Sequence, residues 1–232
     1  SIWLGNTTVG AGLPINSTIK ELLNSGDKIS EISGIFSGTL SWLFQYYDGS
    51  TPFSTLLNDA LSQGITEPDP REDLSGRDVQ RKLLILARAA GFELSLTDID
   101  CQSLVPEPLR DISLAEFLKR TAELDEMFLS RLKQAQEKAC VIRYVARFIS
   151  DNGQVVAKVS LEELSETDAF SQLTPCDNVF QIKSEWYQEN ALIIRGPGAG
   201  RDVTAGGIHA DLVTICQQLN HRHQQVKIKG LN

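Results

Sequence analysis

The chain has 232 residues, with 22 Lys and Arg against 30 Asp and Glu for a formal net charge of -8, and 41% of it is hydrophobic. This composition excludes a basic, phosphate-hugging protein and the disordered and fibrous classes, and the length suffices to bury a core in one domain or two. The longest unbroken apolar stretches, such as Leu83 to Ala87, fall far short of the ~20 residues a membrane helix needs, so neither nucleic acid nor a membrane is an expected partner.

In chain order, a short apolar run from Trp3 to Ile15 is broken by Gly10, Ala11 and Gly12. Ser17 then reads as the cap of a helix carrying Ile19, Leu22 and Leu23, which Gly26 stops. Asp27 to Phe36 reads as a strand rich in isoleucine, and Ser37, Gly38 and Thr39 open a helix through Leu43 to Tyr47. Helices are predicted for Phe53 to Ser62 and for Gly76 to Ala90, separated by a polar stretch from Thr66 to Ser75. An irregular stretch holding Pro106 and Pro108 follows, then a long helical region in two pieces from Ser113 to Lys138. Val141 to Ile149 and Val155 to Leu161 form a hairpin around Asp151, Asn152 and Gly153. A second pair, Val179 to Trp186 and Ala191 to Arg195, flanks a turn at Gln188 to Asn190, and the last long helix covers Val203 to Leu219. Helices and strands mix without strict alternation, so the fold class is α+β (mixed α/β) rather than a doubly wound parallel sheet.

Four cysteines, Cys101, Cys140, Cys176 and Cys216, lie far apart without a CxxC pair. They read as free, mostly buried thiols in a reducing cytoplasm. His209 on a helix and His221 and His223 in a polar tail complete no metal site and no catalytic triad.

Two glycine-rich turns lead into helices. Gly10-Ala11-Gly12-Leu13-Pro14 lacks the third glycine of a dinucleotide fingerprint, which leaves a tight strand-to-helix turn beside a weaker reading with Glu31 as the ribose acid. Gly196 to Gly200 precedes the last helix, and its backbone amides suit an anion or cofactor. Between the turns lies Glu67-Pro68-Asp69-Pro70-Arg71-Glu72-Asp73-Leu74-Ser75-Gly76-Arg77-Asp78, with five carboxylates leading into the helix that carries Lys82. One reading is a solvated acidic face with Asp78 and Lys82 as a surface pair four residues apart. The other is a lysine held near substrate, with carboxylates that bind an ammonium group. A third is a metal-dependent hydrolase on Glu67, Asp69 and Asp73.

Four blocks then carry a resemblance: Thr8 to Ile15; Ser33 to Ser41; Gly64 to Pro70 running on through Asp73-Leu74-Ser75-Gly76 and Asp78 to Lys82; and Gly196 to Gly200 with Val203-Thr204-Ala205. In order and over nearly the whole chain they resemble the catalytic portion of homoserine dehydrogenase. Trp3-Leu4-Gly5-Asn6 and Thr174-Pro175-Cys176-Asp177-Asn178 are similar to the dehydrogenase part of bifunctional aspartokinase/homoserine dehydrogenases. The resemblance implies reversible NADP- or NAD-linked reduction of L-aspartate 4-semialdehyde to L-homoserine. Lys82 is then the general acid and Asp78 its neighbour, orienting the amine or the substrate. Glu67 binds the substrate's amino group, with Asp73 and Thr39 beside it, and Gly200 lies against the cofactor. The first glycine turn becomes a monovalent cation site, for sodium, built from backbone carbonyls of Val9, Ala11 and Leu13. Asn6 stands where a glutamate ligand is usual and is the weaker, neutral donor.

The same resemblance implies a central mixed sheet covered by helices and a homodimer formed through that sheet. It divides the chain into a junction with the nucleotide-binding domain (1–13), a catalytic and dimerisation domain (14–195) and a glycine turn with a helix returning to the nucleotide-binding domain (196–232). With Ser1 first and Met127 the sole methionine, the expectation is a fragment without its Rossmann and aspartokinase parts, inactive alone. The competing expectation is a noncatalytic regulatory or interaction module.

Overall fold

The computed structural model describes residues 4–229, the side chains of 221–229 excepted. Trp3 and the tail residues 230–232 lie outside the described residues, as do the side chains of His221 and His223.

Helix α1 (Ile15–Asn24) buries Ile15, Ile19 and Leu22 on one face. It starts at Pro14 rather than at Ser17, because a proline with its fixed φ opens the helix one turn earlier; Ser17 Oγ, inside that turn, donates to Pro14 O at 3.0 Å. Strand β1 (Ile29–Ile35) leads into α2 (Gly38–Tyr46), whose N-cap Ser37 accepts the Leu40 N–H through its hydroxyl. Then come α3 (Phe53–Ser62) and α5 (Arg77–Ala89), as the spacing predicts. The polar stretch between them is not all loop: α4 (Pro70–Leu74) lies inside it, capped by the Asp69 carboxylate and with Pro70 at its first position. The proline-bearing stretch likewise holds a strand, β2 (Ile99–Cys101). The long helical region divides into α6 (Leu114–Lys119) and α7 (Asp125–Glu137), with a short 3-10 turn between them.

β3 (Cys140–Asp151) and β4 (Gln154–Ser165) form the predicted hairpin, longer than expected and closed by Asn152 and Gly153, both at positive φ (48° and 82°). β5 (Asp177–Ser184) and β6 (Leu192–Pro197) form the second antiparallel pair, so Gly196 and Pro197 belong to the strand end. α8 (Arg201–Lys229) is the last described element and begins at Arg201, two residues before Val203. All four cysteines are free, but the expectation that they are mostly buried fails: Cys101, Cys140 and Cys176 are half-buried and Cys216 is exposed.

Among the described residues the strands make one six-stranded mixed sheet in the order β2-β4-β3-β1-β5-β6, with β2 alone parallel to its neighbour. Its two faces differ. Ala157, Phe148, Ile32, Ile182 and Leu192 are register partners across one face, and helices α2, α5 and α7 cover β3 there. The core on that face includes Phe44, Tyr47, Phe53 and Phe128, with the Phe53 and Phe128 rings stacked at 3.8 Å. The other face aligns Val156, Ile149, Glu31 and Lys183, then Lys158, Arg147, Ser33, Gln181 and Ile193. There Glu31 is buried between Lys183 (2.9 Å) and Arg147 (3.6 Å), so it is a strand-to-strand charge link rather than a ribose acid. Phe170 and Leu173 cover only the end of this face, over Ile35, Val145 and Val179.

Candidate active site

On α5 the residues Val79, Leu83, Leu86 and Ala87 are buried, and Asp78 and Lys82 lie one turn apart along the border of that apolar face. Gly76 lets α5 begin directly after α4. It adopts φ +72°, and a Cβ there would run into the Tyr144 hydroxyl. The two short helices therefore meet at a tight corner that brings Asp73, at the end of α4, within electrostatic reach of Asp78.

Lys82 Nζ is 2.6 Å from Asp78 Oδ2 and donates to the Phe36 carbonyl at 3.0 Å. The lysine side chain is 21% exposed and Asp78 63% exposed. An ammonium has three N–H bonds, so two are engaged and one remains. Lys82 lines a cavity of about 600 Å³ together with Thr7, Thr8, Gly10, Ala11, Gly198, Ala199, Gly200 and Arg201. Three of the four sequence blocks thus meet at one hollow, and the second supplies Phe36 at its edge.

Glu67, Asp73 and Thr39 gather into a second group, within electrostatic reach of Asp78. Asp73 Oδ2 accepts the Glu67 N–H at 2.8 Å. Thr39 Oγ1 donates to Ile65 O at 2.8 Å and also faces the Asp73 carboxylate; its single proton serves one acceptor at a time. Burial pushes the Asp73 carboxyl above the usual carboxylate range, and the nearby charges of Glu67 and Asp78 push the same way against the hydrogen bonds it accepts. A partly desolvated carboxylate among like charges is poised for a cation such as an α-ammonium.

Asp69 does something else. Its carboxylate caps α4 and takes Arg71 through Nε and Nη2 at 2.9 and 2.6 Å. Arg71 in turn donates to the carbonyls of Leu109, Arg110 and Ile112 and lies 5.2 Å over the Phe117 ring. The Arg71 hydrogen bonds hold the Asp69 carboxyl well below its ordinary range. The metal-hydrolase reading loses its middle ligand here, since Asp69 is engaged by a guanidinium rather than grouped with Glu67 and Asp73, and the described residues form no cluster of three or more Asp, Glu, His or Cys fit for a metal. A separate cavity of about 610 Å³ touches Asp69, Arg71, Arg77, Cys101 and Arg110 but neither Lys82 nor the glycine turns.

At the first glycine turn, Gly10 and Ala11 have positive φ (74° and 53°), and Leu13 O accepts the Ile15 N–H at 2.8 Å. Asn6 is tied to α8: its Nδ2 donates to Asp211 Oδ1 at 2.7 Å and its backbone N–H to Asp211 Oδ2 at 3.1 Å. Gly200 sits at φ +136° just before α8. Two participants escaped the sequence reading, the Phe36 carbonyl and the buried Asn178 beside it. Asn178 closes the stretch Thr174 to Asn178, but nothing in the spacing marks its contact with Phe36.

A family model described as homoserine dehydrogenase matches residues 14–213. The bifunctional aspartokinase/homoserine dehydrogenase 2 of Escherichia coli K12 is 54% identical over 217 residues, which cover 94% of this chain and 26% of that protein. Among solved structures, a Candida auris protein of unknown function has a TM-score of 0.86 at 40% identity, over 91% of this chain and 60% of that one. A hyperthermophilic archaeal homoserine dehydrogenase in complex with NADPH shares the fold at a TM-score of 0.67 and 20% identity, over 92% of this chain and 55% of that one. The chain thus spans about a quarter of the bifunctional relative's length.

Proposed function

As the chain belongs to the homoserine dehydrogenase family, we propose that it forms the substrate-binding and proton-transfer wall of a homoserine dehydrogenase, interconverting L-aspartate 4-semialdehyde and L-homoserine. The observation that carries this reading is the half-buried Lys82 ammonium, held by Asp78 and Phe36 O with one N–H left over at the cavity of the glycine turns.

A nicotinamide dinucleotide suits that cavity, because Gly198 and Gly200 bare its backbone and the N-terminus of α8 opens onto it. When bound, it supplies or accepts the hydride at the aldehyde carbon. The NADPH-bound archaeal relative supports a nicotinamide cofactor for this chain too. In the reducing direction the aldehyde oxygen gains negative charge, and Lys82 gives it a proton as an O–H bond forms and an N–H bond breaks. In the oxidising direction the neutral amine takes the alcohol proton. Asp78 steadies the lysine, while Glu67 and Asp73 hold the substrate ammonium with Thr39 behind them. Gly200 leaves the cofactor side free of a side chain. Val9, Ala11 and Leu13, with Asn6, are proposed to hold a monovalent cation such as sodium.

The chain is read as residues 14–195 of catalytic and dimerisation domain, joined through 1–13 and 196–232 to a nucleotide-binding domain, with a covalently linked aspartokinase part on the same polypeptide as in the E. coli relative. The half-open sheet face, where Ile193 and Val156 are 48% and 60% exposed beside Glu31, Arg147 and Lys183, supports a homodimer. No described helix is long and apolar enough to cross a membrane.

The test is a steady-state assay of the full-length protein with aspartate semialdehyde and NADPH or NADH. Glu67→Gln should raise KM by about 10- to 100-fold, the loss of a charge-assisted hydrogen bond, with a smaller change in kcat. Wild-type protein that turns over neither aspartate semialdehyde nor homoserine contradicts the reading.

A further inference from the structure

Phe36 lies between the end of β1 and the Ser37 cap of α2. Its carbonyl accepts two side-chain hydrogen bonds, from Lys82 Nζ at 3.0 Å and from Asn178 Nδ2 at 3.3 Å. Asn178, near the start of β5, is fully buried, and its Oδ1 has no hydrogen-bond partner among the described residues. Gly198, a member of the cavity wall, abuts this carboxamide so closely that a Cβ there would overlap it.

The amide cannot simply turn over, because that would set Oδ1 against the Phe36 oxygen. A buried carboxamide with one end unsatisfied is destabilising, and an apolar side chain of the same shape would avoid that loss. Packing alone therefore favours leucine at this position, and the retained amide calls for a role at its donor end. That end reaches the backbone oxygen that holds Lys82.

We propose that Asn178 is a positioning residue: by donating to Phe36 O it fixes the carbonyl that, with Asp78, aims the remaining N–H of Lys82 into the cavity beside Gly198 and Gly200. This rests on Lys82 being the proton donor. The carbonyl lies at a junction between strand and helix, so a small rotation of its peptide would swing the ammonium. Losses on the order of 100-fold follow from misplacements near 1 Å.

The experiment uses the full-length protein with Asn178→Leu, Asn178→Asp and Lys82→Ala. Asn178→Leu should fold with unchanged or higher Tm, lose about 10- to 100-fold in kcat and keep KM within about threefold, because ammonium binding by Glu67 and Asp73 is untouched. Asn178→Asp puts a carboxylate oxygen in place of the donor, and only its protonated form can donate to Phe36 O. Its activity relative to wild type should therefore climb as pH is lowered, while that of Asn178→Leu stays flat. A purely structural asparagine gives no such divergence. If Lys82→Ala abolishes turnover but both Asn178 variants keep wild-type kcat and pH profile, the positioning role is overturned and the lysine assignment stands. If folded Lys82→Ala remains active, the reading beneath the proposal fails. Should Asn178→Leu not fold, the pH profile of Asn178→Asp decides alone.

Discussion

Asp69 with Arg71 and Asp78 with Lys82 are both carboxylate–cation pairs at 2.6 Å on one short stretch of chain, and their surroundings set them apart. Arg71 is 15% exposed and has its Nε, its Nη1 and one Nη2 donor committed to Asp69 and to carbonyls of the 109–112 segment, with Phe117 beneath. Lys82 has one carboxylate, one carbonyl and an open cavity. A guanidinium bound into a carboxylate and three backbone carbonyls holds structure together, whereas an ammonium on one carboxylate and one carbonyl, with a donor left at the glycine turns, is equipped for chemistry. Charge and distance do not separate the two; the backbone carbonyls that each cation holds do.

The contrast can be broken by exchanging the consequences of the two deletions. Lys82→Ala should lower kcat by about 1,000-fold or more, the size of a lost general acid with its charge. It should leave Tm almost unchanged, because an ion pair this exposed on the Asp78 side contributes little to the fold. Arg71→Ala should do the reverse. Leaving Asp69 unpaired and three carbonyls without their donor should cost about 2–4 kcal/mol in denaturant unfolding, with a smaller loss of activity. Equal Tm losses in both variants would erase the distinction.

pH sharpens it further, because Asp73 and Asp69 shift in opposite directions. The folded-state pKa of Asp73 is raised, so its stability contribution is fully present below the unfolded value and is lost as pH rises through the folded one. Asp73→Asn should therefore be more stable than wild type at neutral pH, an advantage that fades on acidification, and should bind the substrate ammonium less well. Asp69 is held low, so its contribution is present above the ordinary value near 3.8 and is lost as pH falls through the folded pKa. Asp69→Asn should be less stable at neutral pH and should show a flatter acid limb, the smallest of these effects, readable by thermal melts from pH 2 to 7.

Much of this was legible in the sequence where local rules act alone. The period of α5 placed Asp78 and Lys82 on one turn, and Asn152-Gly153 announced the β3–β4 hairpin. β2 escaped because three residues carry no period and its partner is β4, far along the chain. α4 escaped because it lies inside a polar stretch without helical period, although an aspartate followed by proline is also a helix start. The five carboxylates of the acidic segment could not be sorted without knowing that Arg71 reaches the 109–112 carbonyls. The Phe36 carbonyl and Asn178 stayed hidden because backbone acceptors have no letter in a sequence and the contact spans 142 positions.

The account stands or falls on whether the Lys82 amine itself moves the proton. The direct measurement is turnover of folded, full-length Lys82→Ala with and without an added small primary amine. The account predicts a loss of about 1,000-fold that the amine partly restores, most strongly where its ammonium form predominates in the reducing direction. Turnover within tenfold of wild type, with no response to amine, would contradict it.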